Sequence, residues 1–303
     1  MSKIVGIGAN VFDTLYNIPT YPKEDTKMRA TAGKTAGGGP VATGLVAASK
    51  LDESTAYIGV LSDDNGGKFL KDDFKKYGVE TKYIDVKSGY RSFASVLWLC
   101  EDTATRTCVF DKGDLPALVL DDAQKQAIRD AELLMVDGNE MDAAVEAAQI
   151  ARENGVKVLY DCGGLYDGVE KLLALTDIMI PSEEFSLGHT GCATAEEAAE
   201  KLYETYHPEV VVITQGKKGG IIYDGKGIIA YPIYPAVVVD SNGSGDVFHG
   251  AFAAGIVKGF DYLKCCHFAS AVSGLKCTGV GARESVPDFQ TVKSYMKENG
   301  YEL

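Results

Sequence analysis

From residue 131 onward the chain alternates short apolar runs with segments of helical period, and this alternation constrains the fold more than any other feature. "LLMVD" is followed by a helix-period stretch through "DAAVEAAQIARENG", then by "VKVLYD" and a short helix near "GVEKLLAL". "DIMIPS", the helix "TAEEAAEKLYETY" and "EVVVITQG" continue the pattern. Apolar runs without polar alternation are strands buried on both faces, and strands separated by helices pair in parallel. The N-terminal part repeats the scheme: "KIVGIGA", "PVATGLVAASKL", "TAYIGVL" and "NGGKFLKDDFKKYG" read strand, helix, strand, helix, the last stopped by Gly78. The expected architecture is a three-layer α/β/α sandwich with a mostly parallel central sheet.

Two segments break the rhythm. Residues 11–36 and 90–112 carry alternating patterns such as "SFASVLWLC" and "TRTCVFD" with no helix between them. They read as antiparallel strands of a small appended sheet that serves as a lid, a dimer surface, or both. Each is too small to hold its own core, so residues 1–303 are expected to form one domain with these lid strands inserted.

The net charge of −13 excludes a nucleic-acid or anionic-membrane partner, because no basic run exists to release phosphate counterions. An acidic chain that binds a polyphosphate must use local backbone dipoles and a metal ion. No apolar run has the length of a membrane span, and "MSKIVGIGAN" lacks a signal peptide's apolar stretch. Seven scattered cysteines without a C-x-x-C pair suit a reducing cytoplasm.

One stretch offers such a local device. In "DSNGSGDVFHGAFAAG", "YPAVVVD" reads as the strand before it and "GDVFHGAFAAGIVKG" as a helix ending at Gly259. Gly243, Ser244 and Gly245 then fall at a helix N-terminus, where backbone N–H groups lack intrahelical partners and bind anions. Asp246 follows in the first turn. It is either a dipole partner worth roughly 0.5–2 kcal/mol or a general base beside a transferring phosphoryl group. A second glycine-rich turn, "TAGGGPVATG", lacks both the P-loop ending and the dinucleotide fingerprint.

These residues carry a resemblance. Over essentially its whole length the chain resembles the ribokinase-like (PfkB-type) carbohydrate kinases, nearest the ketohexokinase and sulfofructose kinase side. "DSNGSGDVFHGAFA" resembles the family's C-terminal signature and "GGPVAT" its two-glycine sugar motif. "VVITQGKKGG" resembles its nucleotide turn and "GVGARESVP" its closing loop. The resemblance implies an ATP- and Mg²⁺-dependent kinase acting on a primary hydroxyl of a small sugar such as ribose, a ketohexose or a related keto-sugar. It implies Asp246 as base and Gly243, Ser244 and Gly245 as anion hole. Asp13, Gly38, Gly39 and Thr43 would meet the sugar, helped by Asn139, and Ser182, Thr214, Gly216 and Gly219 would meet the nucleotide. Asp240, Asn242, Gly281 and Ser285 match positions around a monovalent cation, potassium being the candidate. The family's Asn-x-x-Glu is replaced by "PSEEF", so Glu183 and Glu184 are the candidates for holding Mg²⁺ through water; both equally suit a helix's first turn. A homodimer through the lid is also implied.

Other residues are set aside. His189, His207, His249 and His267 are too dispersed for a metal cluster. His249, three residues past Asp246, invites a dyad, but helix packing or a partner contact is the plainer role. Lys112 reads as a solvated turn lysine and Trp98 as lid packing. Asp137 and Asn139 end a parallel strand, where ligands of α/β sheets gather. The alternatives are a nucleoside (adenosine-type) kinase and a catalytically weak sugar or nucleotide sensor on the same scaffold.

Overall fold

A computed structural model describes residues 2–103 and 105–303. Its elements run in chain order β1 (Ile4–Ile7), β2 (Val11–Ile18), β3 (Ala32–Gly38), α1 (Pro40–Lys50), β4 (Thr55–Ser62), α2 (Asn65–Lys76), β5 (Ile84–Lys87), β6 (Ala94–Cys100) and β7 (Thr105–Asp111). The middle of the chain gives α3 (Asp122–Arg129), β8 (Leu133–Val136), α4 (Met141–Glu153), β9 (Lys157–Cys162), α5 (Val169–Leu173), β10 (Ile178–Pro181), α6 (Glu183–Thr190) and α7 (Ala195–Tyr206). The remainder is β11 (Val210–Thr214), a 3₁₀ turn (Gly216–Lys218), β12 (Gly220–Tyr223), β13 (Ile228–Tyr231), α8 (Ser244–Val257), α9 (Tyr262–Lys276) and α10 (Phe289–Glu298).

Nine strands form one sheet in the order β13-β12-β11-β10-β9-β8-β1-β4-β5. From β11 to β5 all pairs are parallel; β12 and β13 add an antiparallel edge. Successive residues of the central strands enter opposite cores, as their period of two demands. Ile4, Met135, Leu159 and Val212 pack beneath α1, α8 and α9, whereas Val5, Leu134, Val158 and Val211 pack beneath α4 and α7. Burial on both faces is what the unalternated apolar runs predict. Because the strands are parallel, their carboxyl ends lie on one edge, which gathers Asn10, Asp137, Asp161, Ser182 and Thr214.

The second sheet has the order β3-β2-β6-β7 and is built from both segments that break the helix rhythm. Its outer pairs are antiparallel, as expected, but the central pair β2–β6 is parallel, with Asp13 opposite Ser95. A 75-residue excursion through β3, α1, β4, α2 and β5 separates those two strands, so no hairpin fixes their direction.

The expected strand at residues 234–240 is not formed. Residues 232–238 belong to no helix or ladder, and Val237 is 84% exposed. Pro232 and Pro235 remove donors, and among the described residues the segment's only backbone–backbone bonds run from the Val239 and Asp240 amides to the Cys277 carbonyl. No helix of the described residues is long and apolar enough to cross a membrane.

Candidate active site

Helix α8 starts at Gly243, which caps it in the left-handed conformation, φ 72°. Among the described residues the amides of Gly243, Gly245 and Asp246 donate to no protein acceptor. They are the orphan donors of a helix N-terminus, and Gly245 is exposed. The expected anion hole narrows at Ser244, whose amide donates to the Ser241 carbonyl at 3.2 Å and closes the turn.

Asp246 is partly exposed beside these donors. Burial raises its carboxyl above the ordinary range, while His249, Arg106 and Arg283 draw it back. Its charged neighbours therefore include Asp137 and Arg283 on one side and Arg106 of β7 on the other.

On the Arg106 side a cavity of about 550 Å³ opens between the two edges of α8 and β11–β12. Thr214, Gly216 and Gly219, all expected at the nucleotide, line it together with Ser244 and Gly245. The apolar wall is Tyr231, Ala236, Val238 and Phe248, so the unladdered 232–238 segment becomes a cavity wall. Ser182 is not among the lining residues. It caps α6, its hydroxyl accepting from the Phe185 amide at 3.1 Å, as a Ser before a helix does. Glu183 accepts from Gln215 Nε2 at 2.7 Å and faces Lys218 at 4.0 Å, beside the nucleotide turn, whereas Glu184 is exposed. Among the described residues no three His, Cys, Asp or Glu side chains form a metal-binding group.

On the other side Asp13 of β2 is buried, and Ser95 Oγ donates to its Oδ1 at 2.6 Å. Burial lifts its carboxyl to about 6; Arg283 lowers it and Asp246 raises it. Gly38 is required here by close approach, since a Cβ would stand 2.0 Å from Asp13 Oδ2. Thr43 does not reach the cleft. It is fully buried in α1, with its hydroxyl 3.4 Å from Arg283 Nε. Asn139 donates to Asp137 Oδ1 through its amide and its side chain and lines a smaller cavity of about 160 Å³ with Asn10, Phe93 and Lys112. Asn10 Nδ2, on that wall, is buried without a partner among the described residues.

Two residues organise the site: Asp137, which the sequence marks at the end of a parallel strand, and Arg283, which it shows only as part of a loop motif. Arg283, 1% exposed, donates to Asp73 at 2.7 Å, to the Gly38 carbonyl at 2.7 Å and to Asn10 Oδ1 at 3.1 Å. It thereby ties the closing loop to the glycine turn and to β1's end. Asp137 accepts from the amides of Ala9, Val41 and Asn139, joining β1, α1 and β8. The only sequence signal was their place in "GVGARESVP" and at a strand end.

Comparison with known proteins bears on the family and the fold. Residues 1–288 match the family described as pfkB family carbohydrate kinase. The chain is 27% identical to a ribokinase of Arabidopsis thaliana over 97% of its length and 81% of the relative's. It is 28% identical to a 5-dehydro-2-deoxygluconokinase of Clostridium perfringens, covering 97% and 93%. The structure of Arabidopsis thaliana ribokinase complexed with ribose and ATP superposes with a TM-score of 0.88 at 27% identity, covering 98% of this chain and 99% of that one.

Proposed function

The chain belongs to the pfkB family of carbohydrate kinases, and from that premise we propose that it moves the γ-phosphoryl group of ATP to a primary hydroxyl of a small sugar. The observation that supports the site assignment is the pairing of Asp246 with unbonded amides at the start of α8, where Ser244 and Gly245 line the larger cavity. The larger one suits a nucleotide whose phosphates end at Ser244 and Gly245. The smaller one, with Asn10, Asn139 and nearby Asp13, suits a polyol.

Asp246 takes the proton of the attacking hydroxyl, and a carboxyl raised by burial is a better base than a solvated one. The amides of Gly243, Gly245 and Asp246 hold the oxygens of the transferring group, each donor being worth about 3 kcal/mol. Asp13 and Gly38 orient the sugar, and Arg283 keeps the glycine turn in place. Magnesium, when bound with ATP, neutralises charge on the β- and γ-phosphates. Glu183 fits a role in holding its waters, because it stands beside the nucleotide turn; exposed Glu184 offers no such position.

Potassium does not fit the loop named for it. The Asp240 carboxylate already accepts from the amides of Asn242 and Gly281, and Ser285 donates to the Gly281 carbonyl. The Asp240 carbonyl accepts from the buried ammonium of Lys276 at 2.7 Å. A cation of the protein's own stands there.

The four-stranded sheet acts as the lid that excludes water. Its edge strand β7 is wholly exposed, with Val109 and Phe110 outward, and such an edge is covered in a lid-to-lid homodimer. Seven free thiols suit a cytoplasmic setting.

A coupled assay of ADP release with ribose, fructose, 5-dehydro-2-deoxygluconate and adenosine tests the reading. Sugar-dependent turnover is expected; turnover with adenosine alone would replace it by a nucleoside kinase. Heat protection by ligand without ADP release would make the protein a sensor.

A further inference from the structure

His249 and Asp161 have no part in the steps above, yet they lie directly behind the anion turn. His249 is one turn into α8 and 6% exposed. Its Nδ1 is 2.7 Å from the Gly245 carbonyl oxygen and 3.2 Å from Asp161 Oδ2, and its Nε2 is 2.9 Å from the Ile180 carbonyl oxygen. A carbonyl oxygen only accepts, so each ring nitrogen must carry hydrogen. The ring is then an imidazolium, and the buried Asp161 carboxylate is its counter-ion.

The Gly245 carbonyl belongs to the same planar peptide as the Asp246 amide, and in a trans peptide the two point in opposite directions. Gripping that carbonyl from inside the helix therefore holds the Asp246 N–H outward, toward the anion. The other end of the ring is anchored to β10, and Asp161 to β9, so the grip refers the turn to the rigid sheet.

We infer that His249, charged and braced by Asp161 and Ile180, is a positioning residue for phosphoryl transfer: it aligns the Gly245–Asp246 peptide and places a fixed positive charge behind the turn. The inference rests on the kinase reading for its consequence, though not for its geometry. The other groups facing the pair are Asp246 from α8, Asp137 at the end of β8, Tyr160 and Cys162 on β9, and Tyr166. Burial lifts the Asp161 carboxyl to about 7, while His249 draws it down.

The test combines ¹⁵N NMR of the histidine rings in the ligand-free protein with kinetics of His249→Gln and Asp161→Asn. Both His249 nitrogens should carry protons at pH 7 in the wild type. His249→Gln should lose roughly ten- to a hundredfold in kcat, with KM for sugar and ATP within about threefold. Should that variant not fold, Asp161→Asn carries the test by the same split between kcat and KM. A neutral His249 ring at pH 7 overturns the inference whatever the activity, as does wild-type kcat in a folded His249→Gln. A doubly protonated ring in a protein that phosphorylates no sugar would sink the kinase reading while upholding the held imidazolium.

Discussion

Replacing Asp246 by Asn removes a base and nothing else that the site requires. The side chain keeps its volume, and the amides of Gly243, Gly245 and Asp246 are backbone groups that the change does not touch. Binding of ATP and sugar should therefore persist. Loss of a general base costs about 10²–10⁴ in rate, or roughly 3–5 kcal/mol of barrier. Stability should move the other way. Burial, with Asp137 nearby, holds the folded-state pKa of Asp246 above its unfolded value, so the folded protein binds the proton more tightly. The ionised carboxylate then costs stability at neutral pH, a cost absent below its unfolded pKa and growing as pH rises toward the folded value. Asp246→Asn should accordingly melt higher than wild type at pH 7.5, and the gain should fade on acidification. ADP release at saturating substrates, titration calorimetry for both ligands and melting at two pH values measure all three effects. A kcat within about threefold of wild type, with binding intact, would refute the base assignment.

Gly38→Ala would drive a methyl group against Oδ2 of the Asp13 carboxyl, which Ser95 holds in place through Oδ1; KM for the sugar should rise more than about tenfold with KM for ATP unchanged. Arg283→Met leaves Asp73 without its partner, and breaking a buried pair costs about 3–5 kcal/mol, read as a fall in Tm; Arg283→Lys should not restore it, because an ammonium cannot reproduce the guanidinium fork across Asp73, Gly38 and Asn10. Asp13 at about 6 instead of 3.8 makes its ionisation cost about 3 kcal/mol above pH 6, so Asp13→Asn should gain in melting temperature relative to wild type at pH 7.5 and lose that gain by pH 4. Turnover should be equal in potassium and sodium buffers, whereas Lys276→Ala should be impaired and partly rescued by potassium or ammonium ions.

What could be read from the sequence was local. Central strands such as Val210–Thr214 announce themselves by unbroken β-branched runs. Asp246 is adjacent to its turn, so one stretch of chain held both base and donors. Residues 237–239 have the same apolar composition as a buried strand, but two prolines and the lack of a neighbouring strand leave Val238 on a cavity wall and Val237 exposed. The direction of β2 relative to β6 depends on the intervening layers. Thr43 matched its motif, yet the helix turns it inward to Arg283, 240 residues away. Ser182 has a structural role that its place before a helix supplies by itself, its hydroxyl capping α6. Arg283 and the His249–Asp161 pair act through contacts between distant segments, which no spacing along the chain encodes.

The most direct measurement is a crystal structure with a sugar that the enzyme phosphorylates and a non-hydrolysable ATP analogue. One sugar hydroxyl should lie within hydrogen-bond reach of an Asp246 oxygen, about 2.6–3.2 Å, in line with the γ-phosphorus, whose oxygens meet the Gly245 and Asp246 amides. A γ-phosphate resting elsewhere, or a sugar with no hydroxyl near Asp246, would contradict the account.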